Sequence, residues 1–206
     1  MTGLILNISR ISTVLIRYIF FAMAFFAPLR AVYAEETIVV DNLPIPFSVK
    51  PPESWRQIQT TTGNSRVRFS SPSGTPTAEC AVIVKEISIL KNFSQDELDS
   101  VTLESSDPSL LSNQLSSGYN NIQILGTGSG SVSGHLAIVV RYTGSTGTPD
   151  GELWTYGIIT TTKTTPGLSW TISCGGLGFT QEEAKKCFSY WQSEMVNFST
   201  HLKILE

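Results

Sequence analysis

The chain is 206 residues long, with 41% hydrophobic, 10% aromatic and 15% charged residues and a formal net charge of −3. That composition supplies a sizeable core and excludes a disordered chain. Three cysteines are too few for a disulfide-dense scaffold, and 16 glycines with 10 prolines are too few for a low-complexity protein.

Residues 1–34 carry Arg10, Arg17 and Arg30 but no acid, and an apolar run from Tyr18 to Leu29 leads into Ala31-Val32-Tyr33-Ala34. A basic start, a dozen apolar residues and small residues at the end predict a secretory signal cut before Glu35, leaving a single domain over 35–206. The rival reading is an uncleaved anchor, reached if Ile11 to Ile16 extends the run past Arg17. No cysteine lies at the cut, so a lipid anchor there is excluded. The leader takes three of the 14 basic residues, which leaves 11 against 17 acidic ones. An acidic domain whose basic residues come only as the pairs Arg66/Arg68 and Lys185/Lys186 speaks against nucleic acid and against an anionic membrane surface. The expected location is periplasmic or extracellular, without membrane insertion after cleavage.

An oxidising compartment allows disulfides. Cys174 and Cys187 flank a stretch containing Gly175, Gly176 and Gly178, read as a turn, and a Cys174–Cys187 bridge is expected there, worth roughly 3 kcal/mol. Cys80 is then left as a small buried apolar residue of its strand.

Along the domain, Phe47-Ser48-Val49 alternates and meets the proline turn Pro51-Pro52-Glu53-Ser54-Trp55. Arg56–Thr60 and Arg66–Ser70 read as short strands around a turn at Thr62-Gly63-Asn64. Glu79–Ile87, dense in apolar residues, predicts a central strand buried on both faces. Ser94-Gln95-Asp96-Glu97 is a capping box opening a helix with Leu98, Val101 and Leu103 inward, and Asp107-Pro108 opens a second with Leu110, Leu111 and Leu115 as its stripe. Four strands follow, Ile122–Leu125, Leu136–Tyr142, Leu153–Thr161 and Leu168–Cys174, joined by Gly-, Ser- and Thr-rich turns; their succession predicts an antiparallel meander. Thr180-Gln181-Glu182-Glu183 caps a last helix in which Ala184, Cys187, Phe188, Trp191, Met195 and Phe198 recur at helical spacing and must pack on the sheet. The sum is an α+β domain.

This order resembles the PsbP-like superfamily, which also holds the bacterial envelope lipoproteins related to DcrB. The resemblance spans residues 45–204. It rests on Phe47-Ser48-Val49-Lys50-Pro51-Pro52-Glu53-Ser54-Trp55, on Val67-Arg68-Phe69-Ser70-Ser71-Pro72, on the strand pair around Ile122 to Tyr142, and on Trp170-Thr171-Ile172-Ser173-Cys174 with the helix ending in Asn197-Phe198-Ser199. It implies a central, mostly antiparallel sheet with helices packed on both faces, an α/β/α sandwich, and a non-enzymatic accessory, assembly or binding role. The chain lacks the transit sequence of the photosystem branch and the lipid-attachment cysteine of the DcrB-like proteins, so neither specific role carries over.

Catalytic residues do not assemble in the sequence. The two histidines, His135 and His201, have no partner at a recognisable spacing. In Gly126-Thr127-Gly128-Ser129-Gly130-Ser131-Val132-Ser133-Gly134 the centre of a nucleophile elbow would fall on Gly128 or Val132, so the segment reads as a hairpin loop. It leads to a strand and has no lysine, which speaks against a phosphate loop. A cysteine hydrolase would use Cys174 as nucleophile and His135 as base. No spacing fits zinc, Asp150-Gly151-Glu152 reads as a turn, and neither metal nor cofactor is expected. Trp154 and Tyr156 share a strand face, and with Trp170 they form a candidate interaction surface if no helix covers them. The leading expectation is an exported, non-catalytic accessory protein of the cell envelope acting on a protein partner. The alternatives are a small-molecule or lipid carrier with a groove beside the last helix, and the Cys174 hydrolase. Oligomeric state is not legible at this level.

Overall fold

The computed structural model describes residues 37–60 and 64–205. The leader, the cut before Glu35 and most of the Thr62-Gly63-Asn64 turn therefore lie outside the described residues. Ten strands and three α-helices follow in the order β1 (Ile38–Val40), β2 (Phe47–Val49), β3 (Arg56–Ile58), β4 (Ser65–Ser70), β5 (Ala78–Glu86), α1 (Gln95–Glu104), α2 (Pro108–Leu115), β6 (Asn120–Val132), β7 (His135–Thr148), β8 (Gly151–Thr164), β9 (Leu168–Gly178), α3 (Gln181–Thr200) and β10 (Lys203–Ile204). A seven-stranded antiparallel sheet has the order β3-β4-β5-β9-β8-β7-β6, and β1, β2 and β10 form a second, small sheet. The fold is the expected α+β arrangement, with β6 to β9 as the antiparallel meander and β5 inserted against β9.

One face of the large sheet carries α3 and the small sheet, and this is where the main core sits. Along β5 the residues Ala78, Cys80, Val82 and Val84 are buried in that core, while Glu79, Ala81 and Ile83 are only half covered. The expectation of a strand buried on both faces is thus corrected. On the opposite face α1 lies over β7 and β8 and α2 over β6, which leaves β5 mostly to one core. Phe47 of β2 meets Trp170 of β9 edge to face at 5.7 Å, so the small sheet lies over that end of β9.

Both capping boxes form at the predicted positions, with Ser94 accepting from the Glu97 amide and Thr180 from the Glu183 amide. Within α1 the inward residues are Leu98 and Thr102; Leu103, expected inward, is half exposed. Thr102 fits the position because its hydroxyl donates to the Leu98 carbonyl at 2.8 Å and needs no further partner. In α2 only Leu111 is buried.

The strands run longer than the apolar segments that mark them. Gly126 to Val132, read as part of a loop, continues β6 to a two-residue turn at Ser133-Gly134, where both φ angles are positive (52° and 87°). That is the backbone a tight hairpin requires, and it lets β6 stay paired to Val132↔His135. Likewise Gly175, Gly176 and Gly178 are not a turn; they extend β9. A Cβ on Gly176 would lie 2.1 Å from the Phe188 amide nitrogen, and one on Gly178 would lie 2.6 Å from that of Ala184. The glycines let α3 rest its backbone directly on the strand.

Their extension decides the disulfide. Cys174 lies opposite Cys80 in the β5–β9 register, and the two are bonded (S–S 2.03 Å). The expected Cys174–Cys187 bridge is not formed. Because the chain runs four residues beyond Cys174 before α3 returns, Cys187 arrives level with Gly176 rather than with Cys174. Cys187 is the free cysteine, partly buried, and burial pushes its thiol above the ordinary value.

Candidate interaction surface

The expected trio of aromatics is split by the core. Trp154, Tyr156 and Trp170 do lie on one face of the sheet, since Trp154 pairs with Gly178, Tyr156 with Gly176 and Thr162 with Trp170. Trp170 is fully buried, however, under Phe47, and its indole N–H donates to Thr164 Oγ1 at 2.8 Å. It belongs to the core and not to a surface. Trp154 and Tyr156 sit at the other end of β8 and remain partly exposed, with Tyr156 tilted against Phe188 of α3 at 5.3 Å between ring centroids.

Tyr156 forms part of a groove of about 600 Å³ beside the first turns of α3, lined also by Leu125, Thr180, Gln181, Glu182 and Lys185. Three sequence-distant elements build it. Leu125 lies on β6 at a break in register between Ile124 and Gly126, and is 39% exposed. Such a bulge re-aims a side chain that regular pairing would place otherwise. Beside the groove Phe179 precedes the Thr180 cap and is 63% exposed. The lining is thus apolar where β6 and β8 supply it and polar, with charges of both signs, where α3 does. The sequence marks Thr180, Gln181 and Glu182 as a helix cap and Leu125 as a strand end, but not their meeting with Tyr156, because β6, β8 and α3 come together only after the meander folds.

The remaining candidates stay apart. On β7 the position level with Cys174 is Arg141, which pairs with Ile158, itself paired with Cys174. His135 lies six residues from Arg141 along that strand, about 20 Å at strand rise. With Cys174 also bonded to Cys80, the cysteine–histidine pair of a hydrolase is not assembled. His201 caps the end of α3, its Nδ1 2.7 Å from the Asn197 carbonyl oxygen. Asp150 belongs to the tight turn before β8, as expected, while Gly151 and Glu152 begin that strand. Arg66 and Arg68 point to the face of β4 away from the main core; Arg68 is paired with Glu79, and the buried Nε of Arg66 and of Arg56 lack a partner. Tyr119 and Tyr142 meet edge to face on the side of α1 and α2 with their hydroxyls 3.0 Å apart, and burial pushes both above the ordinary phenol value. Lys163 is buried beside α1 with Nζ 3.4 Å from Ser105 Oγ, and burial pulls its amine below the usual lysine value. Among the described residues no helix is long and apolar enough to cross a membrane.

An antiparallel sheet with helices on both faces is an α+β arrangement that resembles the PsbP-like fold. The solution structure of the cyanobacterial PsbP protein (CyanoP) from Synechocystis sp. PCC 6803 matches 87% of this chain and 97% of its own, with a TM-score of 0.51 at 12% identity. The Mycobacterium tuberculosis protein LpqN, involved in cell envelope biogenesis, matches 83% of this chain and 91% of its own, with a TM-score of 0.46 at 10% identity. A Pseudomonas aeruginosa protein of unknown function, PA94, matches 78% of this chain and 94% of its own (TM-score 0.40, 11% identity). No family model matches the sequence, and no curated protein is similar to it in sequence. At these identities the likeness concerns the fold alone.

Proposed function

We propose that this chain is an exported, non-catalytic accessory protein of the cell envelope that acts by holding a protein partner at the groove beside α3. The observation that carries this reading is the groove's make-up: Tyr156 and Leu125 as its apolar side, Gln181, Glu182 and Lys185 as its polar and charged side, and a wide opening to solvent. An apolar patch bordered by polar residues is the usual anatomy of a protein contact. A carrier would need a cleft that encloses most of its ligand, and the shallow groove favours it less. Export is supported by the basic and apolar pattern of residues 1–34, which reads as a leader, and by a disulfide in the middle of the core, a bond that persists in oxidising compartments.

The test is a photo-crosslinking residue placed at Leu125, at Lys185 and, as a control, at the exposed Glu53, in cells that make the protein. Crosslinks to one discrete protein from the two groove positions and none from Glu53 are expected. Equal labelling from all three positions, or none from the groove, overturns the reading.

A further inference from the structure

The two ends of the large sheet are protected very differently. At one end β3 is only three residues long and begins with Arg56, which are ordinary defences of a sheet edge. At the other end β6 runs for 13 residues, Asn120–Val132, and contains no Lys, Arg, Asp, Glu or Pro. Its inner side pairs with β7; among the described residues its outer side carries no backbone hydrogen bond to another element. Both register breaks lie toward its start, between Asn120 and Gln123 and between Ile124 and Gly126. From Gly126 to Val132 the strand is regular and unguarded.

Approach is open from Gly126 to Ser131, while Val132 is buried in the main core. Gly126 and Gly128 face open space, the other side chains up to Ser131 are Gly, Ser or Thr, and all six residues from Gly126 to Ser131 are exposed. Such residues are poor strand formers, and glycine loses the most conformational entropy when fixed. A second ladder on the outer side would supply the backbone hydrogen bonds that a one-sided edge leaves to water.

We propose that the outer edge of β6 over Thr127–Ser131 pairs antiparallel with the same segment of a second copy of this chain, about a two-fold axis at Ser129. The occupant follows from the segment itself. Five exposed, bulge-free residues centred on Ser129 pair with their own copy as Thr127 with Ser131, Gly128 with Gly130 and Ser129 with Ser129. Each pair then lies on one face of the joined sheet, hydroxyls meet hydroxyls, glycines meet glycines, and no like charges oppose. The bulges at Leu125 and before fall outside the window at both ends. A foreign strand would find no charged or large side chain here to select it, whereas in a self-pair centred on Ser129 the alternation of glycine and hydroxyl residues meets its own match on each face. The two-fold axis stands perpendicular to the sheet and sets both α3 grooves on the same side of the dimer. The pairing uses a different surface from the groove and stands or falls apart from it.

The test combines sedimentation of the full chain as recovered from the cells that make it with two substitutions at one exposed residue. The chain is expected to sediment at twice its mass. Ser129→Lys, which sets two ammonium groups opposite each other, is expected to raise the dimer dissociation constant at least tenfold with an unchanged circular dichroism spectrum. Ser129→Cys on a Cys187→Ser background is expected to link two copies through position 129 on mild oxidation. A monomer at all concentrations, a dimer indifferent to Ser129→Lys, or a dimer that does not link through position 129 overturns the proposal.

Discussion

Gly176 of β9 lies against the peptide backbone of Phe188 in α3, so closely that a single methyl group at position 176 would stand 2.1 Å from the Phe188 nitrogen and 2.5 Å from the Ala184 carbonyl oxygen. At this point the helix touches the strand by backbone, while Phe188, Trp191, Met195 and Phe198 carry the side-chain packing of the core. Tyr156, which lines the groove, is the register partner of Gly176.

Gly176→Ala must therefore lift α3 and is expected to cost about 3 kcal/mol in urea unfolding. Gly128→Ala, where the added methyl meets nothing within 4 Å, is expected to stay within about 0.5 kcal/mol of the parent. Equal effects at the two sites would show that the close contact is not what holds the helix.

The bonded pair Cys80–Cys174 joins residues 94 apart in sequence. In the chain-entropy account a loop of that length contributes roughly 4–5 kcal/mol, so replacing both cysteines by alanine is expected to lower stability by about that amount. Labelling of the denatured chain should find one thiol before reduction and three after, with peptide mapping placing the first at Cys187. A label on Cys80 or Cys174 before reduction would contradict the pairing.

Trp170 and Tyr156 stand on one sheet face but in different roles. Trp170→Ala empties a fully buried site and removes the donor to Thr164, and is expected to cost about 3–5 kcal/mol. Tyr156→Ala, at a half-covered ring, is expected to cost about 1–2 kcal/mol, while weakening the crosslinks made from Leu125 and Lys185. Denaturant curves and the crosslinking yield separate the two effects.

The Glu97 carboxylate accepts from the Ser94 amide at 2.7 Å and from its hydroxyl at 2.8 Å, and these bonds hold it below the ordinary glutamate value. A carboxylate lowered in the fold binds fewer protons than in the unfolded chain, so its support is present above the ordinary glutamate range and is lost as pH falls through and below it. Glu97→Gln should lower stability at neutral pH, and the gap from the parent should close in acid. Ser94→Ala removes the cap and is expected to cost about 1 kcal/mol. A gap for Glu97→Gln that widens in acid would reverse the assignment.

Much of the architecture was legible because local signals and packing agree. Ser94 and Thr180 mark helix starts by chemistry that acts within four residues, and Ala184, Phe188, Trp191, Met195 and Phe198 mark a helix face by a period that burial then uses. The strands of the meander show themselves by their apolar residues, but not where those end. Gly126–Val132 and Gly175–Gly178 carry no apolar pattern and remain extended because a neighbouring strand pairs with them. Propensity favours turns at both, and the ladder overrides it.

The sequence by itself determined the α+β class, the helix caps, the antiparallel succession of β6 to β9 and the apolar face of α3, since each depends on residues a few positions apart. Only the tertiary structure decided which cysteine Cys174 meets, that Trp170 is covered while Tyr156 is not, and that Leu125 joins Lys185 in one groove. Those outcomes depend on register between strands far apart in sequence, where a shift of one residue turns every side chain to the other face. Cys80 reaches Cys174 for that reason: β5, laid down 94 residues earlier, is the strand beside β9, and the Cys80↔Cys174 register sets their side chains on the same face.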